Sequence, residues 1–311
     1  FKNRTTFNIH RLLRVIDQNT LLSKLDPSTQ ADENEVMMPE DELKQYFRQY
    51  PAVIKNTEAV LAVCQVSFEL GTDKNIKNIL GSKKEDFQYL KTQARRGYEK
   101  RYKGLITPET EERFERELSI ISKKNFEAYY LVSHDIVTYA KRSGFSYVGR
   151  GSGANSIISY CLGITDVDPI ELDLYFERFL NPSRTSPPDF DMDFSWQNRD
   201  AVYQYIFQKY NTKQNSSGHV ALLGTHTTFK SRSAIRELGK VFGLPKEEID
   251  KLVAGKYSEK DHITKLIMQY ADRMQEIPTH LSIHAGGVLI TEKPIYAYTA
   301  TDYPPKGLPT S

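Results

Sequence analysis

Residues 189–194, DFDMDF, alternate acidic and apolar side chains with a period of two. Only an extended strand puts such residues on opposite faces. Asp189, Asp191 and Asp193 then share one face at a spacing of roughly 6.5–7 Å, while Phe190, Met192 and Phe194 point the other way, into a core. A row of carboxylates repels itself and is tolerable when fully solvated or when cations sit on it. Two readings therefore stand side by side. One is a half-buried strand with a wet acidic face; the other is a metal-binding strand, because paired Mg²⁺ ions bridged by carboxylates serve in-line phosphoryl displacement. Pro187 and Pro188 set the start of the segment rigidly, and Arg178 and Arg184 lie just upstream, which tips the balance toward phosphate chemistry.

A second segment, VGRGSGANS (148–156), packs three glycines, two serines and an arginine ahead of an apolar run, IISYCL. It lacks the GxxxxGK[ST] of a Walker A loop. Gly149, Gly151 and Gly153 give GxGxG rather than the GxGxxG of dinucleotide folds. It still reads as a glycine-rich turn feeding a helix, where the backbone can approach a ligand closely and free N–H groups favour an anion. Ser152 adds a hydroxyl donor and Arg150 a charged fork. A flexible connector or a Gly-x-Gly packing site is the alternative. Coupled to the acidic strand, the phosphate reading gains: a cradle for a triphosphate and a strand for its metals is the arrangement of nucleotidyl transfer.

The 311 residues favour two domains over one. Lys plus Arg is 42 against 40 Asp plus Glu, so the net charge of +2 announces no nucleic-acid binder, and any such surface must be local. The two cysteines, Cys64 and Cys161, form no CxxC pair, which speaks against zinc and for free thiols in a cytoplasmic setting. No run of about 18 apolar residues suggests a membrane span. The first residues, FKNRTTFNIH, and the last, YPPKGLPTS, suggest a piece of a longer chain.

Along the chain, Pro39 opens a helical stretch with acids in its first turn. Ser82 and Glu85 fit a capping box, followed at helical spacing by Phe87, Leu90, Ala94 and Tyr98. Thr107-Pro108 starts a helix with Phe114, Leu118 and Ile121 on its apolar face. Residues 126–142 read as helix ended by Gly144, and FSYV as a short strand before the glycines. Residues 197–210 read as helix, NTKQNSSG as loop, HVALL and GGVLI as short strands, and 225–243 and 259–276 as helices between them. His280 and His284 are four apart, but the flanking Ser282-Ile283 and Gly286-Gly287 point to a strand and a structural role for His284. The composite is α+β.

GRGSGANS, ITDVDPIELDLYFERFLNP, PPDFDMDFSW and HAGGVLI, in this order, resemble the core of the DNA polymerase III alpha-subunit family, the C-family replicative polymerases of bacteria. The likeness runs from about residue 39 to the end and is densest over 148–200. It implies a polymerase-beta-like nucleotidyltransferase palm, a mixed sheet flanked by helices, with a helical thumb insert. Residues 1–70 would be the tail of a polymerase-and-histidinol-phosphatase domain and linker, 71–225 the palm, 226–281 the thumb and 282–311 the palm return. Asp189 and Asp191 would be the catalytic, metal-binding pair for two Mg²⁺ ions. Arg150, Gly151, Ser152, Arg178 and Arg184 would hold the nucleotide. Lys230, Arg232, Arg236 and Lys240 would grip DNA phosphates, although an ordinary solvated helix face explains any one of them equally well. The basic residues between 83 and 103 carry the same ambiguity. The partners implied are primer-template DNA, deoxynucleoside triphosphates and, in a full-length protein, a sliding clamp and other replisome subunits. The family's third carboxylate comes from a segment beyond HAGGV, and Asp302, in TDYPP, does not supply it; the expectation is that this piece alone is nearly inert. A metal-dependent phosphohydrolase would need a positioned water and His ligands, and no His flanks the acids. A non-catalytic DNA-binding module would have no use for the Gly-Ser and Asp-x-Asp pairing.

Overall fold

In the computed structural model, all residues are described except 66, 178–180, 182–188, 214–215, 259–260 and 305–306. In chain order the elements are helices α1 (Arg4–Asp17), α2 (Glu40–Tyr46), α3 (Pro51–Val63), α4 (Lys83–Arg101), α5 (Pro108–Lys123) and α6 (Glu127–Arg142), then strand β1 (Tyr147–Arg150), helix α7 (Ile157–Cys161), strand β2 (Asp191–Phe194) and helix α8 (Trp196–Tyr210). They continue with strands β3 (Thr212–Lys213), β4 (Ser216–Ser217) and β5 (Val220–Thr228), helices α9 (Ser231–Val241), α10 (Lys246–Val253) and α11 (His262–Arg273), and strand β6 (Pro278–Ile290). The class is α+β, with small two-stranded sheets, β1–β2, β3–β4 and β5–β6, among the described residues. By its internal contacts the chain forms two compact units: residues 1–72 with 225–282, and residues 73–224 with 283–311.

The unit of residues 73–224 and 283–311 is built around α6. One face of α6 sends Tyr130, Leu131 and Val137 into a core with Leu90, Ala94 and Tyr98 of α4, Phe114, Leu118 and Ile121 of α5, and Ile157 and Ile158 of α7. The other face sends Val132 and Ile136 into a second core with Val202, Ile206 and Tyr210 of α8, Val220 of β5 and Ile290 of β6. Met192 of β2 packs against both. A helix apolar on two sides is thus sandwiched between two hydrophobic clusters.

Charge closes the α4–α5 pair. Arg95 bridges Glu111 at 2.7 Å and Glu115 at 2.8 Å, with its guanidinium carbon 4.3 Å from the centre of the Phe114 ring. Lys91 meets Glu115 at 3.1 Å, and Arg101 meets Asp166 at 2.8 Å. Several cations of the 83–103 stretch therefore hold elements together.

In the other unit, Leu12 and Val15 of α1, Ala234, Ile235, Leu238 and Val241 of α9, Leu252 of α10, and Ile267 and Ala271 of α11 form the core. Helices α2 and α3 bury none of their side chains.

Several expectations shift. β2 begins at Asp191, so Asp189 precedes the strand. β1 starts later than FSYV and runs into the glycines. The polar NTKQNSSG segment carries the short β3–β4 ladder, Thr212↔Ser217 and Lys213↔Ser216. β5 continues to Thr228 where the sequence predicts a helix from 225, because the Thr hydroxyls find partners across to β6: Thr227 Oγ1 lies 2.7 Å from Ser282 Oγ. α10, absent from the sequence reading, starts at its N-cap Pro245 with Glu247 and Glu248 in its first turn.

At α4, Ser82 caps the helix by accepting the Glu85 N–H at 3.3 Å. The stronger anchor is Asp86, fully buried, whose two carboxylate oxygens accept the N–H groups of Ile79 and Leu80, both at 2.8 Å. Replacing it leaves two amides unsatisfied. Asp86→Ala is expected to lower unfolding free energy by roughly 2–4 kcal/mol in urea denaturation, several times the effect of Ser82→Ala.

Candidate functional site

β1 and β2 run antiparallel with the register Tyr147↔Phe194, Val148↔Asp193, Gly149↔Met192 and Arg150↔Asp191. The register sets Arg150 directly opposite Asp191. Asp191 and Asp193 are exposed, while Met192 and Phe194 are half-buried.

Beyond Arg150 the chain turns at Gly151, with φ +94°, into a single 3-10 turn, Ser152–Asn155. A left-handed φ disfavours any residue with a Cβ, and a Cβ here would also lie 2.6 Å from the Asp189 carbonyl oxygen. Two hydrogen bonds clasp this turn to the first acid. The Gly153 N–H donates to the Asp189 carbonyl at 2.9 Å, and the Asp189 N–H donates to Ser152 Oγ at 2.9 Å. Gly153 leaves room for the Phe190 ring: a Cβ there would fall 2.0 Å from Phe190 Cε1. That ring stacks on Tyr129 at 5.1 Å and meets Tyr130 edge-on at 5.0 Å, and the Phe190 N–H donates to the Tyr129 hydroxyl at 3.2 Å.

A cation does sit on the acidic face, and it is Arg150. Its Nε meets Asp193 at 2.5 Å and its Nη1 meets Asp191 at 3.4 Å. Arg150 holds the Asp193 carboxyl below the usual range, first by its hydrogen bond and then by its charge. Both pairs are solvent-exposed, so they offset repulsion more than they add stability.

The amides at the start of α7 are not open to an anion. Ser156 caps them, its Oγ accepting the N–H groups of Ile158 and Ser159 at 3.1 and 3.3 Å. This corrects the picture of a free helix N-terminus. Ser152 is the group that remains: its oxygen accepts Asp189 N–H, and its own proton is available to a ligand.

Beneath the turn lies a buried ion pair that the sequence reading missed. Glu117 of α5 is fully buried and meets Arg113, one helical turn earlier, at 3.0 Å. The Ser156 hydroxyl donates to Glu117 at 2.7 Å. Arg113 also donates to the Asn155 and Leu174 carbonyls at 3.2 and 2.8 Å. Burial pushes the Glu117 carboxyl up to about 7, against the pull of Ser156 and Arg113. An Arg-x-x-x-Glu spacing on an amphipathic helix reads as a surface pair, and only burial in the tertiary structure distinguishes it.

The acids open on a cleft of about 860 Å³ lined also by Arg150, Arg199, Tyr203 and His284, within the size range of small-ligand sites. On one wall, Tyr203 donates to the Ala285 carbonyl at 3.3 Å, and His284 Nδ1 accepts the N–H groups of Gly286 and Gly287 at 3.3 and 3.1 Å. His284 therefore bonds to the backbone of its own strand, β6. Among the described residues no group of three His, Cys, Asp or Glu could hold a metal. A divalent ion would take two carboxylates here, Asp189 and Asp191, a donor set that suits Mg²⁺ when phosphate and water complete the shell.

Asp189, Asp191, Arg150, Gly151 and Ser152 are thus brought together. Arg178 and Arg184 lie outside the described residues, as do Pro187 and Pro188. On α9 and its N-cap, Lys230 pairs with Glu276 at 2.6 Å, Arg236 with Asp250 at 2.9 Å and Lys240 with Glu237 at 2.8 Å, while Arg232 is exposed.

Residues 88–308 match the family model of the bacterial DNA polymerase III alpha NTPase domain. An error-prone DNA polymerase of Symbiobacterium thermophilum is 32% identical, over 98% of this chain and 30% of its own length. A DNA polymerase III subunit alpha of Halalkalibacterium halodurans is 31% identical, over 94% of this chain and 27% of its own. An error-prone DNA polymerase of Bdellovibrio bacteriovorus is 37% identical, over 67% of this chain and 21% of its own. The chain spans less than a third of the length of these relatives.

Two outcomes follow from the geometry. Gly153→Ala forces Phe190 out of its aromatic slot and is expected to cost about 1–3 kcal/mol in chemical denaturation. The folded-state pKa of Glu117, about 7, lies above its ordinary 4.5, so its contribution is present at acid pH and is lost as pH rises through about 7. The melting temperature of the wild type, measured relative to Glu117→Gln, should therefore fall between pH 5 and pH 8.

Proposed function

Because the chain belongs to the bacterial DNA polymerase III alpha family, we propose that the acid-lined cleft is the nucleotidyl-transfer centre of a DNA-directed DNA polymerase, joining a deoxynucleotide to a primer 3′-hydroxyl with release of pyrophosphate. One observation carries the reading. Ser152 Oγ and the Asp189 backbone share a hydrogen bond of 2.9 Å, so the Gly-Ser turn and the first acid occupy one place. A phosphate group at Ser152 and a cation at Asp189 would then be neighbours, which is the geometry that positions a triphosphate for attack.

In this reading, bound Mg²⁺ ions supply the lowered pKa of the attacking hydroxyl and the neutralisation of the departing oxygen. The chain's own groups orient the substrate. Ser152 donates its hydroxyl proton to a phosphate oxygen, and Gly151 keeps the backbone close. Asp189 and Asp191 are the metal ligands. Arg150 offsets the charge of Asp191 and Asp193, and its looser contact, the 3.4 Å one to Asp191, is the one that would yield to a cation or phosphate.

The wider assignment follows the family. Residues 71–225 and 282–311 form the palm, 226–281 the thumb, and 1–70 the end of a preceding domain with its linker. Lys230, Arg232, Arg236 and Lys240 meet DNA phosphates, three of them by trading a carboxylate partner for a phosphate. No helix among the described residues is long and apolar enough to cross a membrane. Primer-template DNA and deoxynucleoside triphosphates are the substrates proposed for the longer polymerase, with a sliding clamp and replisome subunits as its partners.

Equilibrium binding of a deoxynucleoside triphosphate to this chain, with and without Mg²⁺, tests the site. Asp189→Ala and Asp191→Ala are each expected to weaken Mg²⁺-dependent binding at least about tenfold, and each should stop primer extension when placed in a full-length relative. Wild-type behaviour of either variant removes that residue from the metal set.

A further inference from the structure

We propose that Arg113 and Glu117 are positioning residues for the Gly-Ser turn: from inside the protein they hold Asn155 and Ser156, and through them the angle at which Ser152 meets Asp189. The turn is only five residues long, Ser152 to Ser156, and both of its ends are held. At the outer end Ser152 and Gly153 bond to the Asp189 backbone. At the inner end the Ser156 hydroxyl donates to Glu117 at 2.7 Å and the Asn155 carbonyl accepts from Arg113 at 3.2 Å. Arg113 is 15% exposed and Glu117 not at all. A charged pair in such a place costs more in desolvation than a pair of apolar side chains, so its contribution is to fix a geometry more than to add bulk stability.

The hydrogen bonds assign the state that holds the turn. Ser156 Oγ already accepts two amide protons, so its own proton must go to Glu117. The carboxylate accepts from both Ser156 and Arg113, whereas the protonated acid gives up one of these acceptor positions. The ionised form therefore grips the turn more tightly, and protonation loosens it. The groups facing Glu117 are Arg113 on its own helix, Tyr130 on α6 and Cys161 on α7. Burial raises the pKa of both Tyr130 and Cys161, away from neutrality. Glu117, whose carboxyl titrates at about 7, is then the group in this pocket that changes charge between pH 6 and 8.

Two readouts test the proposal, and the first is independent of nucleotide. With ¹⁵N-glycine labelling of this chain, the Gly151 and Gly153 amide signals are expected to move with a midpoint near pH 7 in the wild type and to stay still in Glu117→Gln. If that variant does not fold, Ser156→Ala, which leaves the ion pair and the Arg113–Asn155 contact but removes the hydrogen bond from the turn to Glu117, should shrink the same titration at least severalfold. The second readout rests on the nucleotidyl-transfer reading. The Mg²⁺-dependent dissociation constant for a deoxynucleoside triphosphate, as the ratio of Glu117→Gln to wild type, should rise from near one at pH 6 to about ten at pH 8, the loss of one charge-assisted hydrogen bond. Taking the ratio cancels the titration of the nucleotide itself. Glycine signals that do not move, or that move equally in the variant, overturn the proposal, as does a ratio that stays constant with pH. If the wild type binds no triphosphate, the function proposed above falls and the glycine titration alone decides this inference.

Discussion

The site depends on a clasp of two hydrogen bonds between the Gly-Ser turn and Asp189. The turn offers an amide at Gly153 and an oxygen at Ser152, and Asp189 answers with its carbonyl and its amide. Neither bond uses the Asp189 carboxylate. The clasp also explains the glycines. Gly151 has a left-handed backbone and lies against the Asp189 carbonyl, and Gly153 lies against the Phe190 ring. The packing role, one of the two the sequence leaves open, is the one these glycines fill in the fold.

The electrostatics divide into an exposed layer and a buried one. On the surface, Arg150 spans Asp191 and Asp193, weakly enough in a high dielectric to yield to a competing cation or phosphate. Below, Glu117 sits where no solvent can compensate a lost partner, and Arg113 is largely buried beside it. An exposed pair thus faces the cleft while a buried pair lies behind the turn. Elsewhere charge does plainer work. Arg95, Lys91 and Arg101 join helices and loops, and three of the four basic residues of α9 and its N-cap are tied to acids. A basic stretch is therefore weak grounds for a nucleic-acid surface until its partners are known.

Local chemistry determined much from the sequence alone. The Thr107-Pro108 start, the helix expected over 126–142 and the Met192–Phe194 face follow from caps and periods that act within a few residues. Four ordered motifs were enough to point to the polymerase III alpha family. Tertiary structure decided what depends on distant partners. It moved the start of β2 past Asp189, which is held by the turn instead of a ladder, and extended β5 to Thr228 through contacts with β6. It also turned an Arg-x-x-x-Glu pair that looks like surface into the buried support of the site. The reason is range: capping and periodicity are fixed by neighbours in the chain, whereas burial and ion pairing are fixed by residues that only folding brings near.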